Sequence, residues 1–386
     1  MDQDSTPLRI GMVGYAFMGA AHTQGWRGAR HFFDLARRPE LTALAGRNPA
    51  SVAEAAHRLG WQAGVVGWQA LVDRDDIDLI DICTPGDTHA EIAVAALQAG
   101  KHVLCEKPLA NSVAEAELMA QAAELACDAG VRSMVGFTYR RVPAIALARQ
   151  LVAAGRLGRI HHVRAQYLQD WLVDPAAPMS WRLDKVKAGS GALGDIGAHI
   201  IDLTQFITGE SIESVTAAMD TFVTERPMPG GTAANGRGRV TVDDAAVFLA
   251  RFCGGGLATF EASRFANGRK NAIRIEINGS DGSLAFDFEE MNVLHFFDST
   301  EDQLTAGFRR ILVTEPDHPY VSAWWPPGHL LGYEHAFAHQ AADLVTAIAK
   351  EHEPSPSFAD GLRVQRILAS VEKSAEDGAW VTIDRR

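Results

Sequence analysis

Short apolar runs at residues 8–13, 41–45, 79–83, 102–105 and 133–135 alternate with helix-compatible stretches through the first third of the chain. Helix signals sit between them. Asn48 is placed to cap a helix, with Pro49 in its first turn. Ser112 and Glu115 form a capping-box pair, and Gly100 stops a helix that begins near Thr88. Strand and helix alternating in this way predict an α/β domain built on a doubly wound parallel sheet. Ligands of such sheets gather at the carboxyl ends of the strands. Gly14, Thr84, Pro85 and Glu106-Lys107-Pro108 all fall there.

Further on, the period changes. Residues 160–168, 214–223, 245–252 and 257–264 read as strands, and Gly254-Gly255-Gly256 joins the last two as a hairpin. Residues 273–277 and 283–288 flank Asn278-Gly279-Ser280-Asp281-Gly282. Alternation in these runs gives one apolar and one mixed face, as in an antiparallel sheet. A one-sided sheet needs helices or another subunit over its second face, so a homodimer or homotetramer through this sheet is expected. Residues 225–238 are rich in Gly and Pro and read as a mobile loop. Residues 316–335 gather Tyr320, Trp324, Trp325 and Tyr333. Such a patch suits either stacking on a sugar face or packing at a subunit contact.

One stretch links pattern to chemistry. From Ser190 to Asp202, glycines crowd the front and a helical spacing follows, with Ile196, Ile200 and Leu203 toward a core and Gly209 as a stop. Asp195, His199 and Asp202 then share one helix face. A carboxylate one turn from an imidazole can orient the ring for proton transfer near neutral pH. On spacing alone, an ordinary ion pair on a solvated face is an equal reading.

Composition narrows the classes. The chain has 386 residues, 47% of them hydrophobic, enough for two cores. A net charge of -12 excludes whole-chain attraction to nucleic acid or anionic membrane, although Arg140 and Arg141 make a local basic pair. The acidic Met1-Asp2-Gln3-Asp4 start lacks a signal-peptide pattern, and no apolar run is long enough to span a membrane. The four cysteines are scattered, with no CxxC, which fits reduced buried thiols in a cytoplasmic protein. His335 and His339 are four apart, but no glutamate or third ligand accompanies them, and His161 and His162 point to opposite strand faces; no metal site is expected.

Gly14-Tyr15-Ala16-Phe17-Met18-Gly19 follows the first strand and opens a helix. This is where a dinucleotide fingerprint places the pyrophosphate, although Ala16 replaces its middle glycine. After the second strand comes Gly46-Arg47-Asn48, without the acid that holds the ribose diol of NAD. Arg47 can meet a 2′-phosphate, which favours NADP and leaves NAD open.

Cys105-Glu106-Lys107-Pro108-Leu109 and Gly191-Ala192-Leu193-Gly194-Asp195-Ile196-Gly197-Ala198-His199, together with the glycine turn, resemble the glucose–fructose oxidoreductase / inositol 2-dehydrogenase (Gfo/Idh/MocA) family. The resemblance covers nearly the whole chain, in order. Tyr167-Leu168-Gln169-Asp170-Trp171, Ser180-Trp181-Arg182-Leu183 and Ser357-Phe358-Ala359-Asp360-Gly361 look like its levoglucosan- and sugar-oxidising branch. It implies a Rossmann domain over residues 1–138 and a substrate-binding and oligomerisation domain over 139–386 with an open, mostly antiparallel sheet. It also implies a nicotinamide cofactor and oxidation or reduction of a polyol hydroxyl on a sugar or cyclitol. The family's catalytic lysine, aspartate and histidine fall on Lys107, Asp195 and His199. Cofactor-binding positions are Gly14, Ala16, Phe17, Met18, Gly46, Arg47, Thr84, Pro85, His89, Glu106 and Lys107. Substrate positions are Tyr139, Arg140, Trp171, Arg182, Asp195 and His199. A glycosidase that uses the nicotinamide transiently and a non-catalytic nucleotide or sugar sensor are the alternatives on the same fold.

Overall fold

The computed structural model describes residues 6–230 and 236–384. The acidic start Met1-Asp2-Gln3-Asp4 and residues 231–235 of the Gly/Pro-rich loop lie outside the described residues. The chain forms two compact units, Met1–Arg141 with Leu331–Leu362 and Val142–Leu330 with Arg363–Arg386.

The first unit holds strands β1 (Pro7–Val13), β2 (Arg38–Gly46), β3 (Ala63–Val66), β4 (Leu79–Ile82), β5 (His102–Cys105) and β6 (Ser133–Val135). They form a sheet in the order β3-β2-β1-β4-β5-β6, every pair parallel. This is the doubly wound sheet that the alternation requires. Helices α1 (Phe17–Phe32), α2 (Pro49–Leu59), α3 (Trp68–Val72), α4 (His89–Gln98) and α5 (Val113–Asp128) connect the strands. Local signals set their ends. Asn48 Oδ1 accepts the Ser51 N–H at 3.0 Å, and Gly60 stops α2 at a left-handed φ of 68°. Ser112 Oγ accepts the Glu115 N–H at 3.2 Å at the start of α5.

The second unit begins with α6 (Pro143–Ala153) and β7 (Ile160–Leu168). After α7 (Lys185–Ala188) and α8 (Ala198–Thr208) come β8 (Ile212–Asp220), β9 (Glu225–Pro227), β10 (Arg237–Arg239), β11 (Ala245–Phe252), β12 (Leu257–Ser263), β13 (Ala272–Gly279), β14 (Gly282–Asp287), β15 (Val293–Asp298) and β16 (Arg309–Leu312). The chain then returns to the first unit with α9 (Tyr333–Ala349). It closes with α10 (Phe358–Asp377) and β17 (Val381–Thr382). The large sheet runs β16-β15-β14-β13-β7-β12-β11-β8-β17. All its pairs are antiparallel except β7 with β12, where a crossover brings two distant strands side by side in parallel. In β11, Ala246, Phe248, Ala250 and Phe252 face inward, and Phe248 stacks on Phe260 of β12 at 4.5 Å between ring centroids. Val247, Leu249 and Leu257 stay exposed on the other face.

Three features were not read from the sequence. The 225–238 loop begins and ends in a two-stranded antiparallel ribbon, β9 with β10. The compact units do not follow a 1–138/139–386 division, because α9 joins the first core. There Leu344 and Val345 pack with Leu8, Ile10, Met12 and Trp26. Gly25 of α1 lets the helices approach closely; a Cβ on it would lie 2.7 Å from that of Phe337. The cysteines are all free, but Cys83 and Cys105 are buried whereas Cys253 is exposed. Among the described residues no helix is long and apolar enough to cross a membrane.

His339 on α9 gives this core a pH dependence. The ring is fully buried, and its Nδ1 lies 2.8 Å from the Arg141 carbonyl oxygen. Burial pushes its pKa down to about 3. The unfolded imidazole takes up a proton near pH 6.5 and the folded one resists it. Stability from this residue is therefore present above pH 6.5 and is lost as the pH falls toward 3. Between pH 6.5 and pH 4 the wild type is expected to lose about 3 kcal/mol more than His339→Gln in urea unfolding. Equal losses in the two proteins would show that His339 is not held neutral.

Candidate active site

In the first unit the glycine turn is shaped by close approaches. Gly14 has φ 98°, and a Cβ there would lie 2.7 Å from the Cys83 carbonyl oxygen. A Cβ on Gly19 would strike the Gly14 carbonyl oxygen. Ala16 stands at the N-cap of α1 with no side-chain cap hydrogen bond, so it does not satisfy the N–H groups of the first turn, Phe17, Met18 and Gly19. An uncapped helix start after a glycine turn suits an anionic ligand, and a pyrophosphate fits it. Ala16 is therefore compatible with the motif. At the end of β2, the Tyr15 ring lies so close over Gly46 that a Cβ would overlap it, while Arg47 is exposed.

The neighbouring loops are tied together from below. His89 Nε2 lies 2.9 Å from the Thr84 carbonyl oxygen, and its Nδ1 lies 3.0 Å from that of Pro108. The imidazole thus links the Thr84-Pro85 loop to the segment after Lys107, whose peptide bond to Pro108 is cis. Glu106 is 4% exposed and turns its carboxylate to His22, 2.8 Å from Nε2. The side chains of His89 and Glu106, expected beside the cofactor, are buried and brace the neighbouring loops. Burial opposes a charge on His22, but the Asp81 carboxylate at 2.9 Å together with the Cys83 thiol holds the imidazole well above its ordinary pKa.

Two of the expected substrate residues belong to this unit. Tyr139 is buried, its ring 6.3 Å from that of Tyr333, which in turn stacks on Phe17 at 6.2 Å. Burial, with Tyr139 and Glu106 beside it, pushes the Tyr333 hydroxyl pKa up. Arg140 donates to Ser355 Oγ at 3.1 Å and lies 3.7 Å from Asp360. Those contacts anchor the segment before α10.

In the second unit the Gly-rich stretch becomes a π-helical turn, Leu193–Gly197, running into α8. Such turns are uncommon and recur at functional sites. Asp243 builds it. The two carboxylate oxygens accept the Gly191 N–H at 2.6 Å and the Leu193 N–H at 2.8 Å, and the Asp243 carbonyl accepts the Ala192 N–H at 3.1 Å. Gly191 has no room for a Cβ against that carbonyl. On this turn sits Asp195, 28% exposed, with the fully buried Arg264 guanidinium 3.8 Å from its carboxylate. Arg264 also donates to the Asp243 carbonyl at 2.9 Å. A buried cation without an anion is costly, so Arg264 and Asp195 hold each other in place.

One turn on, His199 is 8% exposed, its ring 5.8 Å from that of Tyr167. Asp202, on the same helix, is buried at 1%. Tyr167, Gln169 and Trp171 follow a strand period of two. The Tyr167 hydroxyl donates to Asn271 Oδ1 at 2.6 Å, Gln169 Nε2 donates to the same oxygen at 2.9 Å, and Trp171 Nε1 donates to Gln169 Oε1 at 2.9 Å. The Trp171 ring covers Arg264, 5.6 Å from its guanidinium carbon. Arg182 lies over the Trp181 ring at 4.4 Å. One polar rank thus runs from Asp195 and His199 to Trp171, with exposed aromatic area beside it.

Asp243, Arg264, Asn271 and His22 went unassigned in the sequence. Only Asp243-Asp244 before a strand gave a signal, since paired acids after a loop can cap an incoming turn. The others act across long sequence separations.

Residues 8–137 match the model of the oxidoreductase family with an NAD-binding Rossmann fold. Residues 145–285 match the Gfo/Idh/MocA C-terminal domain. Levoglucosan dehydrogenase of Pseudarthrobacter phenanthrenivorans is 41% identical over 97% of this chain and 98% of its own. A crystal structure of an oxidoreductase domain protein from Kribbella flavida superposes with TM-score 0.96 at 68% identity, covering 98% of this chain and 100% of that one. A levoglucosan dehydrogenase in complex with NADH and levoglucosan superposes with TM-score 0.94 at 40% identity, again covering 98% and 100%. With both family models matched in order and a full-length relative at 41% identity, the chain belongs to the Gfo/Idh/MocA oxidoreductase family.

Proposed function

We propose that this protein is a nicotinamide-dependent dehydrogenase that moves hydride between the cofactor and a secondary hydroxyl or ketone of a pyranose, anhydrosugar or inositol. The observation that carries the reading is full-length likeness to an enzyme solved with NADH and levoglucosan. Within the chain, the uncapped start of α1 and the left-handed Gly14 suit the pyrophosphate, with Thr84 and Pro85 at the neighbouring strand end. The nicotinamide supplies the hydride acceptor when bound. His199 takes the hydroxyl proton, and Lys107 holds positive charge beside the oxygen that becomes a carbonyl. Asp195 orients His199 or anchors a neighbouring hydroxyl, with Arg264 behind it. Trp171, Arg182 and Tyr139 wall the substrate, and Trp324 and Trp325, 6.1 Å apart, offer a further stacking surface.

Relatives solved with NADH favour NAD, while the exposed Arg47 favours NADP. The test is absorbance of reduced nicotinamide with NAD and NADP separately, against levoglucosan, free sugars and inositols. Net reduced cofactor formed with one or more of these supports the reading, and the ratio of kcat/KM ranks the cofactors. Aglycone release from a glycoside without net reduction, or binding without turnover of any panel member, contradicts it.

The exposed Val247, Leu249 and Leu257 lie on the sheet face that a second subunit of this chain covers. In sedimentation velocity the wild type is expected as a dimer or tetramer, and Val247→Asp with Leu249→Asp as a smaller species. A monomeric wild type contradicts this assembly. The buried Cys83 and Cys105 thiols fit a reducing, cytoplasmic setting.

A further inference from the structure

We propose that His22, on the buried side of the Glu-Lys-Pro loop, is a positioning residue for Lys107, acting through Glu106. The inference rests on the reading of Lys107 given above. His22 is 2% exposed on α1, and both its ring nitrogens face carboxylate oxygens. Nδ1 lies 2.9 and 3.1 Å from the two oxygens of Asp81, and Nε2 lies 2.8 Å from Glu106 Oε1. A carboxylate only accepts, so a ring satisfied on both sides donates from both nitrogens. The other Glu106 oxygen accepts the Lys107 backbone N–H at 3.2 Å. Asp81 is held in turn by the Trp26 indole N–H at 2.7 Å and the Cys83 thiol at 3.6 Å.

A continuous polar chain thus runs from α1 through the end of β4 to the loop after β5. It ends on the peptide that carries Lys107. Gly136 keeps space for it, since a Cβ there would lie 2.8 Å from Glu106 Oε1. His22, Asp81 and Cys83 also lie close enough together to suggest a metal, within 4.8 Å. That reading fails on chemistry: the imidazole has no nitrogen left to coordinate, and burial pushes the Cys83 thiol pKa up, away from the thiolate a metal takes. What the ring does here is place one positive charge between Asp81 and Glu106 and hold the Glu106 carboxylate inward. Without it, a buried carboxylate loses its counter-charge and turns toward water, dragging the Lys107 backbone with it.

The test compares full-length His22→Gln, His22→Gln with Glu106→Gln, and Lys107→Met, using NAD and the panel sugar that is turned over. Turnover is expressed per NADH-binding site, counted by fluorescence titration, so that loss of folded protein does not register. His22→Gln is expected to lose about tenfold or more in kcat, with NADH affinity within about twofold of wild type. The double variant is expected to recover at least about threefold over the single one, because the amide removes the uncompensated charge next to Lys107, leaving only that of Asp81, and still accepts the Lys107 N–H. Wild-type kcat in His22→Gln overturns the proposal. If His22→Gln does not fold, the double variant decides: a several-fold lower kcat with intact NADH binding supports the proposal, and wild-type kcat overturns it. Full turnover in Lys107→Met would instead remove the role assigned to Lys107, a separate failure.

Discussion

Lys107→Met is expected to lower turnover by about a hundredfold or more, and His199→Ala to do the same, while both variants still bind NADH. Methionine keeps the length and apolar stem of lysine but removes the charge that the proposed mechanism sets against the developing carbonyl oxygen. Alanine at 199 removes the proposed proton acceptor and leaves Ile200, Ile201 and Leu203 of α8 buried in place. Neither substitution touches the glycine turn or the uncapped start of α1, so cofactor affinity is preserved. Initial rates paired with NADH fluorescence titration check both halves. Near-wild-type turnover in both variants would detach the chemistry from these residues.

Gly191→Ala is expected to cause the second large loss, with kcat down about tenfold or more. The new methyl lands on the Asp243 carbonyl oxygen, and the turn or that carbonyl has to move. Either shift breaks the frame in which Asp243 holds the Gly191, Ala192 and Leu193 N–H groups and Arg264 faces Asp195. The overpacking also destabilises the fold by about 1–3 kcal/mol. Gly307→Ala is the control, since its Cβ would meet nothing within 4 Å. Thermal melts and steady-state kinetics on the pair check this. Unchanged kcat in Gly191→Ala would mean that the π turn does not set the position of Asp195.

Local chemistry was legible in the chain. Asn48 with Pro49, Ser112 and Gly209 mark helix ends because each acts on its own backbone within a few residues. The strand at Ile160–Leu168 was visible through its alternation. What escaped depends on contacts far apart in sequence. The parallel pairing of β7 with β12 joins segments some 95 residues apart, as the Gln166–Glu261 hydrogen bond shows, and no local period encodes it. The return of α9 to the first core turns on Gly25 meeting Phe337. The candidate site was readable only where a motif names it, at Gly14, Lys107, Asp195 and His199, whose roles remain the proposal. The supports of those residues were not. Arg264, Asp243 and His22 are ordinary residues in ordinary runs, and only the fold brings them behind the motif residues. Glu106 reads as a ligand-facing acid in sequence because its inward turn toward His22 has no local cause.

Transfer of a substrate hydrogen to the nicotinamide is the event on which the functional reading stands. Incubation with NAD and the ring-deuterated form of the sugar that is turned over, followed by proton NMR of the recovered cofactor, observes it directly. One deuterium at C4 of the reduced nicotinamide per carbonyl formed is the expected result. Unlabelled reduced cofactor, or sugar product without reduced cofactor, would contradict it.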